Sequence, residues 1–252
     1  MPDDVRSRFA PVAANYARAK FHTSSERLQE VLDLAHPELT DLALDVATGT
    51  GNTAFALAPF VRRVVGVDLT TEMLDQARRL TAERSVANAE WVLGDACRLP
   101  FADGVFDLYT VRAAPHHFHD FDAFLGEALR VLKPGHAAAF VDCAPPAAAR
   151  ELMHDVEVRR DPSHVRSLTV EEWTERLEKA GFEVEVAQSR ELDWDFDDWM
   201  GNMAVPPGLA AQLAEVIEGA EGEARAELHP VRREGKLWHA YWHCLIRARK
   251  PD

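Results

Sequence analysis

Leu44-Asp45-Val46-Ala47-Thr48-Gly49-Thr50-Gly51-Asn52 is the segment on which the fold turns. It passes from a short apolar strand into the first turn of a helix. Glycines at such a junction let the backbone turn tightly and bring main-chain groups close to a ligand. Gly49, Gly51 and Ala54 also fit the G-x-G-x-x-G/A spacing of dinucleotide-binding folds, so the loop alone leaves the ligand open.

Two acids downstream narrow it. Asp68 ends the second strand-like run, Arg63 to Asp68, where a carboxylate can accept both hydrogen bonds of a ribose diol. Asp95 follows the third, in Leu93-Gly94-Asp95-Ala96, where it can accept from an adenine amino group. Each acid taken singly could be solvated or cap the next helix. Three such features at the carboxyl ends of three consecutive strands coincide with the edge where open α/β sheets bind ligands.

The pattern around them predicts that sheet. Strands are expected at Leu42 to Ala47, Arg63 to Asp68, Glu90 to Gly94, Phe106 to Val111 and Ala137 to Asp142. They are short, apolar and partly β-branched, as strands buried on both faces should be. Amphipathic stripes lie between: Met73, Ala77 and Leu80, then Phe124, Leu125, Ala128, Leu129 and Leu132, the latter helix stopped by Lys133-Pro134-Gly135. Such alternation implies a parallel sheet with right-handed crossovers. Thr169 to Glu172 has capping-box spacing, and Gly181 ends the helix it opens. Two further strands fall near Glu183 to Trp194 and Leu237 to Arg247, joined through a helix near Leu209 to Glu223.

This ordered set resembles the class I methyltransferases of the ubiquinone/menaquinone biosynthesis type, from about Arg8 to Phe196. The likeness continues through Leu99-Pro100-Phe101, Phe106-Asp107 and Glu127 to Gly135, which reads E-A-L-R-V-L-K-P-G. It implies a Rossmann-like, seven-stranded, mostly parallel sheet of order 3-2-1-4-5-7-6, the last strand antiparallel, with helices on both faces. It implies S-adenosylmethionine (SAM) as cofactor, with Ala47, Gly49, Thr50 and Gly51 at its methionine end and Asp68 on the ribose. Leu69 and Met73 would flank the adenine, Asp95 and Ala96 would read its edge, and Arg112 would meet the methionyl part. Phe9 and Tyr16, with Lys20 and His22, fall where a lid closes in relatives. Ala47 departs from the family, many of whose members have glycine there. The expected organisation is a helical lid over residues 1–40 and a methyltransferase domain over 41–252, with substrate-cap insertions at about 146–168 and 197–235.

Composition bounds the partner. With 28 basic and 42 acidic residues the formal charge is −14, which disfavours nucleic acid and anionic lipid. A small neutral or cationic methyl acceptor suits it better, and a homodimer stays open. Cys97, Cys143 and Cys244 fit no disulfide or zinc pattern. No secretory signal and no run of the roughly 20 apolar residues that span a bilayer is present, so a cytoplasmic protein is expected.

Methyl transfer from a sulfonium is an in-line displacement, so alignment and exclusion of water supply much of the acceleration. Arg112-Ala113-Ala114-Pro115-His116-His117-Phe118-His119-Asp120 follows the fourth strand, where the methyl group would lie. His117 first and His116 second are the candidates for a base or an orienting group; capping and backbone bonding are the structural alternative. Successive residues converge poorly on one ion, so no metal is expected. Asp161 and His164 are candidate substrate contacts, while Trp194, Phe196, Trp199 and Met200 read chiefly as core. Two rival functions remain. A SAM-binding protein that does not methylate, such as a cyclase or regulatory module, would carry the same cofactor residues. An NAD-dependent dehydrogenase explains the glycines and Asp68 but not Asp95 or the E-A-L-R-V-L-K-P-G segment.

Overall fold

The structure is a computed structural model describing residues 2–12 and 23–252. Tyr16, Lys20 and His22 lie outside the described residues. In chain order the helices are α1 (Pro2–Phe9), α2 (Ser25–Ala35), α3 (Asn52–Leu57), α4 (Thr71–Glu83), α5 (Phe121–Val131), α6 (Ala147–Arg160), α7 (Val170–Ala180), α8 (Phe196–Asn202), α9 (Pro207–Glu218) and α10 (Gly222–Leu228). The strands are β1 (Leu42–Val46), β2 (Arg63–Asp68), β3 (Ala89–Leu93), β4 (Phe106–Arg112), β5 (Leu132–Cys143), β6 (Glu183–Asp195), β7 (Val231–Arg233) and β8 (Lys236–Arg249).

They form one sheet in the order β3-β2-β1-β4-β5-β8-β6, with β7 paired to β8 off this path. The first five strands pair in parallel and β8 runs antiparallel to both β5 and β6. The seven long strands thus follow the order the resemblance implies. Among the described residues the count is corrected from seven to eight, because β7 and β8 close a hairpin through Glu234 (φ +52°) and Gly235 (φ +83°). Two successive positive φ values make the turn that matches strand twist, but Glu-Gly is not its usual sequence signal.

Two further boundaries differ from the expectation. α5 ends at Val131, and Leu132 is already extended and paired with Phe106, so Lys133-Pro134-Gly135 belongs to β5. A residue preceding proline is pushed out of the helical region, so the helix closes early. The segment from 207 to 228 holds two helices, α9 and α10, where one was expected.

The core explains why these elements assemble. On one face of the sheet Leu44, Val46, Tyr109 and Phe140 pack with Phe121 and Phe124 of α5 and Trp173 of α7. On the other, Ala43, Val64, Leu108 and Val141 pack with Val31, Leu34 and Leu57. Alternate residues of one strand go to opposite layers, which is the two-unit period of a strand buried on both sides. α7 begins with both bonds of the capping box, Thr169 N–H to Glu172 (3.0 Å) and Glu172 N–H to Thr169 Oγ1 (3.2 Å). A third cluster, rich in Trp194, Trp199, Tyr241 and Trp242, fills the space between β8 and helices α6, α8 and α9. Among the described residues no helix is long and apolar enough to cross a membrane.

Candidate active site

β1 ends at Val46, and three of the next five residues take positive φ: Ala47 (+50°), Gly49 (+55°) and Gly51 (+87°). The left-handed backbone at Ala47 gives a physical reason for glycine there in relatives. Asp45, fully buried, anchors the loop from below by accepting hydrogen bonds from Thr48 Oγ1 (2.5 Å) and Thr110 Oγ1 (2.9 Å). Burial pushes its carboxyl up to about 6, against the pull of both hydroxyls. Asp68 accepts from the Gly49 N–H (2.8 Å) and the Thr70 N–H (2.8 Å), so it ties the first loop to the second. Burial raises its pKa as well.

Above these loops lies a cavity of about 570 Å³, within the range of ordinary ligand sites. Of the residues singled out from sequence, it is lined by Phe9, Ala47, Gly49, Thr50, Asp68, Leu69, Met73, Asp95, Ala96, Arg112 and His117. Gly51 and His116 do not line it. A Cβ on Gly51 would stand 2.5 Å from Trp91 Cη2, so this glycine serves packing beneath the loop. A Cβ on Gly49 would meet nothing within 4 Å, so this glycine leaves the cavity floor open. Sequence reasoning passed over Asp45, Thr48, Thr53 and Asp120, which also line the space. For Asp45 the signal was present, an acid buried inside an otherwise apolar strand.

The charge pattern is asymmetric. Among the described residues, four carboxylates (Asp45, Asp68, Asp95 and Asp120) face the cavity with one guanidinium, Arg112, whose Nε donates to Thr53 Oγ1 at 3.1 Å. SAM carries a sulfonium, an ammonium and one carboxylate, so the donor and charge sets match. Apolar Leu69, Met73 and Phe9 supply a surface for a flat ring.

The histidines leave β4 on a single 3₁₀ turn, Pro115–His117, their rings 4.0 Å apart. They nevertheless face different partners. His116 Nδ1 lies 2.6 Å from Asp142 Oδ1 at the end of β5. His117 Nδ1 lies 3.1 Å from the Ser163 carbonyl and 3.2 Å from Ser163 Oγ, and the edge of Phe9 packs on its ring. Burial works against a charged His116, yet the Asp142 charge and hydrogen bond outweigh it and hold its pKa above the usual value. Burial, helped by the neighbouring His116, pushes His117 down to about 3.

A second chamber, of about 50 Å³, shares Phe9, Ala113 and His117 with the large cavity and is lined further by His116, Glu157, Asp161, Trp194, Trp199 and Tyr241. Trp194 and Trp199 are thus both core and wall. His164 does not line it; it is buried, lies 3.0 Å from Ser167 Oγ through Nε2 and stacks on His116 at 5.0 Å. Cys143 and Cys244 are buried, whereas Cys97 is only half-buried and borders the large cavity.

A mostly parallel sheet with a glycine turn, acids at successive strand ends and this cavity above them is the architecture of a class I, Rossmann-like α/β protein. Residues 44–140 match the methyltransferase domain family. The chain is 32% identical over 219 residues to the "Uncharacterized methyltransferase YcgJ" of Bacillus subtilis (strain 168), covering 86% of this chain and 87% of that one. It is 42% identical over 109 residues to the ubiquinone/menaquinone biosynthesis C-methyltransferase UbiE of Dinoroseobacter shibae, covering 42% of this chain and 43% of that one. The crystal structure of YcgJ from Bacillus subtilis superposes with a TM-score of 0.85 at 29% identity, over 90% of this chain and 99% of that one. The chain belongs to the class I methyltransferase family and is a SAM-dependent methyltransferase.

Proposed function

We propose that the large cavity holds SAM and that the enzyme methylates a small-molecule acceptor whose reacting end enters the histidine-lined chamber. The observation that carries this reading is the contact of the two spaces at His117, one acid-rich and sized for a nucleoside, the other enclosed by aromatic and titratable side chains. SAM, when bound, supplies an electrophilic methyl group on a sulfonium. Asp68 would accept from the ribose, Asp95 and the Ala96 region would read the adenine edge, and Leu69, Met73 and Phe9 would sandwich the ring. Arg112 would pair with the carboxylate end, while Asp45, Ala47, Gly49 and Thr50 would border it.

In this reading α1 belongs to a lid over residues 1–40 and the segments 146–168 and 197–235 cap the acceptor. Phe9 supports both, since it borders both spaces and packs on Met73 and Met203. Closure of this kind excludes water and aligns the reactants, which is the main demand of an in-line displacement. The dehydrogenase alternative is set aside by the methyltransferase relatives. The non-methylating alternative predicts SAM binding with no S-adenosylhomocysteine released on any acceptor.

Calorimetric titration of SAM tests the cofactor half directly. Asp68→Ala and Asp95→Ala should each weaken binding by about tenfold or more, the loss of one or two charge-assisted hydrogen bonds. Unchanged affinity in well-folded variants would overturn the assignment of the cavity.

A further inference from the structure

Resting on that methyl-transfer reading, we propose that His116 and Asp142 form the proton-accepting pair of the acceptor chamber, and that the acceptor's nucleophilic atom is a hydroxyl. Asp142 is 2% exposed, and its carboxylate can only accept a hydrogen bond. The proton of the 2.6 Å contact therefore sits on His116 Nδ1, and Nε2 is the basic nitrogen left for the chamber that His116 lines.

His117 is fixed in the opposite sense. Ser163 Oγ donates its own hydrogen to Asp161 Oδ1 (2.7 Å), so both Ser163 oxygens near His117 Nδ1 are acceptors. That nitrogen is a donor and its ring is neutral. Its low pKa leaves the other ring nitrogen, Nε2, able to accept a hydrogen bond but not to hold a second proton. His164, stacked on His116, is likewise held neutral by burial. His116 is the imidazole of this trio that its surroundings favour charging. Among the described residues the groups around it are Asp142 and Cys143 of β5, Glu157 and Arg160 of α6, His243 of β8, and Asp161, His117 and His164.

His116, Asp142 and Cys143 offer atoms within 4.8 Å of one another, but the geometry is that of a shared proton. Two ligands of one tetrahedral zinc at about 2.0 Å stand about 3.3 Å apart, farther than the 2.6 Å between His116 and Asp142. A chamber of about 50 Å³ is a third of the roughly 150 Å³ that accommodates benzene, so it takes the reacting hydroxyl and the atom that bears it, while the rest of the acceptor, a ring included, stays outside it.

The step balances as follows. The hydroxyl O–H bond breaks and its proton bonds to His116 Nε2, giving an imidazolium against the Asp142 carboxylate. The oxygen's electron pair forms the bond to the methyl carbon as the carbon–sulfur bond breaks and its pair stays on sulfur. The products are a methyl ether, S-adenosylhomocysteine and a proton that His116 returns to solvent.

Nitrogen-15 NMR of the wild-type imidazoles with S-adenosylhomocysteine bound needs no variant. His116 should be the Nδ1–H tautomer with a titration above the ordinary value of about 6.5, and Asp142→Asn should lower that titration. An Nε2–H tautomer, or a titration indifferent to Asp142, overturns the pair. Phenol and 4-nitrophenol, close in shape, then probe the chemistry at a mildly alkaline pH where only the second is ionised. His116→Asn should cost about 100-fold or more in kcat with phenol and far less with 4-nitrophenol, while SAM affinity by calorimetry stays unchanged. Equal losses overturn the base role. Release of S-adenosylhomocysteine with neither probe by a wild type that binds SAM overturns the hydroxyl acceptor, whereas a wild type that does not bind SAM overturns the underlying reading.

Discussion

Gly49 and Gly51 share one motif and one sign of φ, yet alanine at the two positions should do different things. At Gly51 the new Cβ would fall 2.5 Å from Trp91 Cη2 and 3.0 Å from Phe55 Cε2. Carbon contacts prefer about 3.5–4.0 Å, so Trp91 would have to retreat by about 1 Å. It is held in place, because its ring also fills the space beside Gly66 and its indole N–H donates to Thr81 Oγ1 at 2.9 Å. A left-handed φ costs an L-residue about 1 kcal/mol, and overpacking adds about 1–3 kcal/mol. The sum, about 2–4 kcal/mol, corresponds to a melting temperature lower by roughly 5–15 °C for a chain of this size. Gly49→Ala meets no neighbour, so it should cost only the backbone term, about 1 kcal/mol. Its methyl group enters the space assigned to SAM, and a Kd at least about tenfold higher is expected. Thermal melts without ligand and calorimetric titrations with SAM, run on both variants, separate the effects. If Gly51→Ala melts with the wild type, or Gly49→Ala is the less stable of the two, the loop does not work as described.

Two further outcomes concern stability. The Asp45 carboxyl is raised from 3.8 to about 6 in the folded protein, so the folded state holds this proton longer than the unfolded chain does. Wild-type stability should therefore fall as pH rises from about 4 to about 6, by about 2.2 units times 1.36 kcal/mol, or about 3 kcal/mol. Asp45→Asn should lose that component of the pH dependence in urea denaturation series; an identical slope in both proteins would refute it. Thr169→Ala removes the cap of α7 and should lower stability by about 1 kcal/mol, with Thr169→Ser restoring most of it. Equal stability of the alanine and wild-type proteins would show that the capping box contributes nothing.

The sheet was legible because its inner strands are buried on both faces. That forces β1, β2 and β4 into short apolar runs, and the acids that end or follow the strands mark the ligand edge. The β7–β8 hairpin was not legible, because Glu-Gly carries a weaker turn signal than Asn-Gly. The switch from α5 to β5 at Leu132 was missed because an apolar residue continues a helical stripe as well as it begins a strand. The cofactor side of the proposed site comes from consecutive strand ends, which the chain order alone brings together. The acceptor chamber does not: His116, Asp142, Asp161 and Tyr241 meet only through the pairing of β4, β5 and β8 and the return of α6. Asp142 carried the same signal as Asp68, a carboxylate at the carboxyl end of a predicted strand, and could have been recognised by it.

The two adjacent histidines show why sequence ranks such residues poorly. Their rings are 4.0 Å apart, His117 buried and His116 largely so, and protonating one makes protonating the other costly. Whichever ring has the carboxylate takes the proton, and Asp142 gives it to His116. The expectation that put His117 first had no access to this, since the deciding residue lies 26 positions away on another strand. The coupling also sets the sign of a second effect in Asp142→Asn. As the His116 titration falls, the charge that suppresses His117 is withdrawn over the same range, so the His117 titration should rise. Opposed shifts of the two rings would mark a shared proton. Parallel shifts, or movement of one ring alone, would mean that the pair is joined by packing and not by charge.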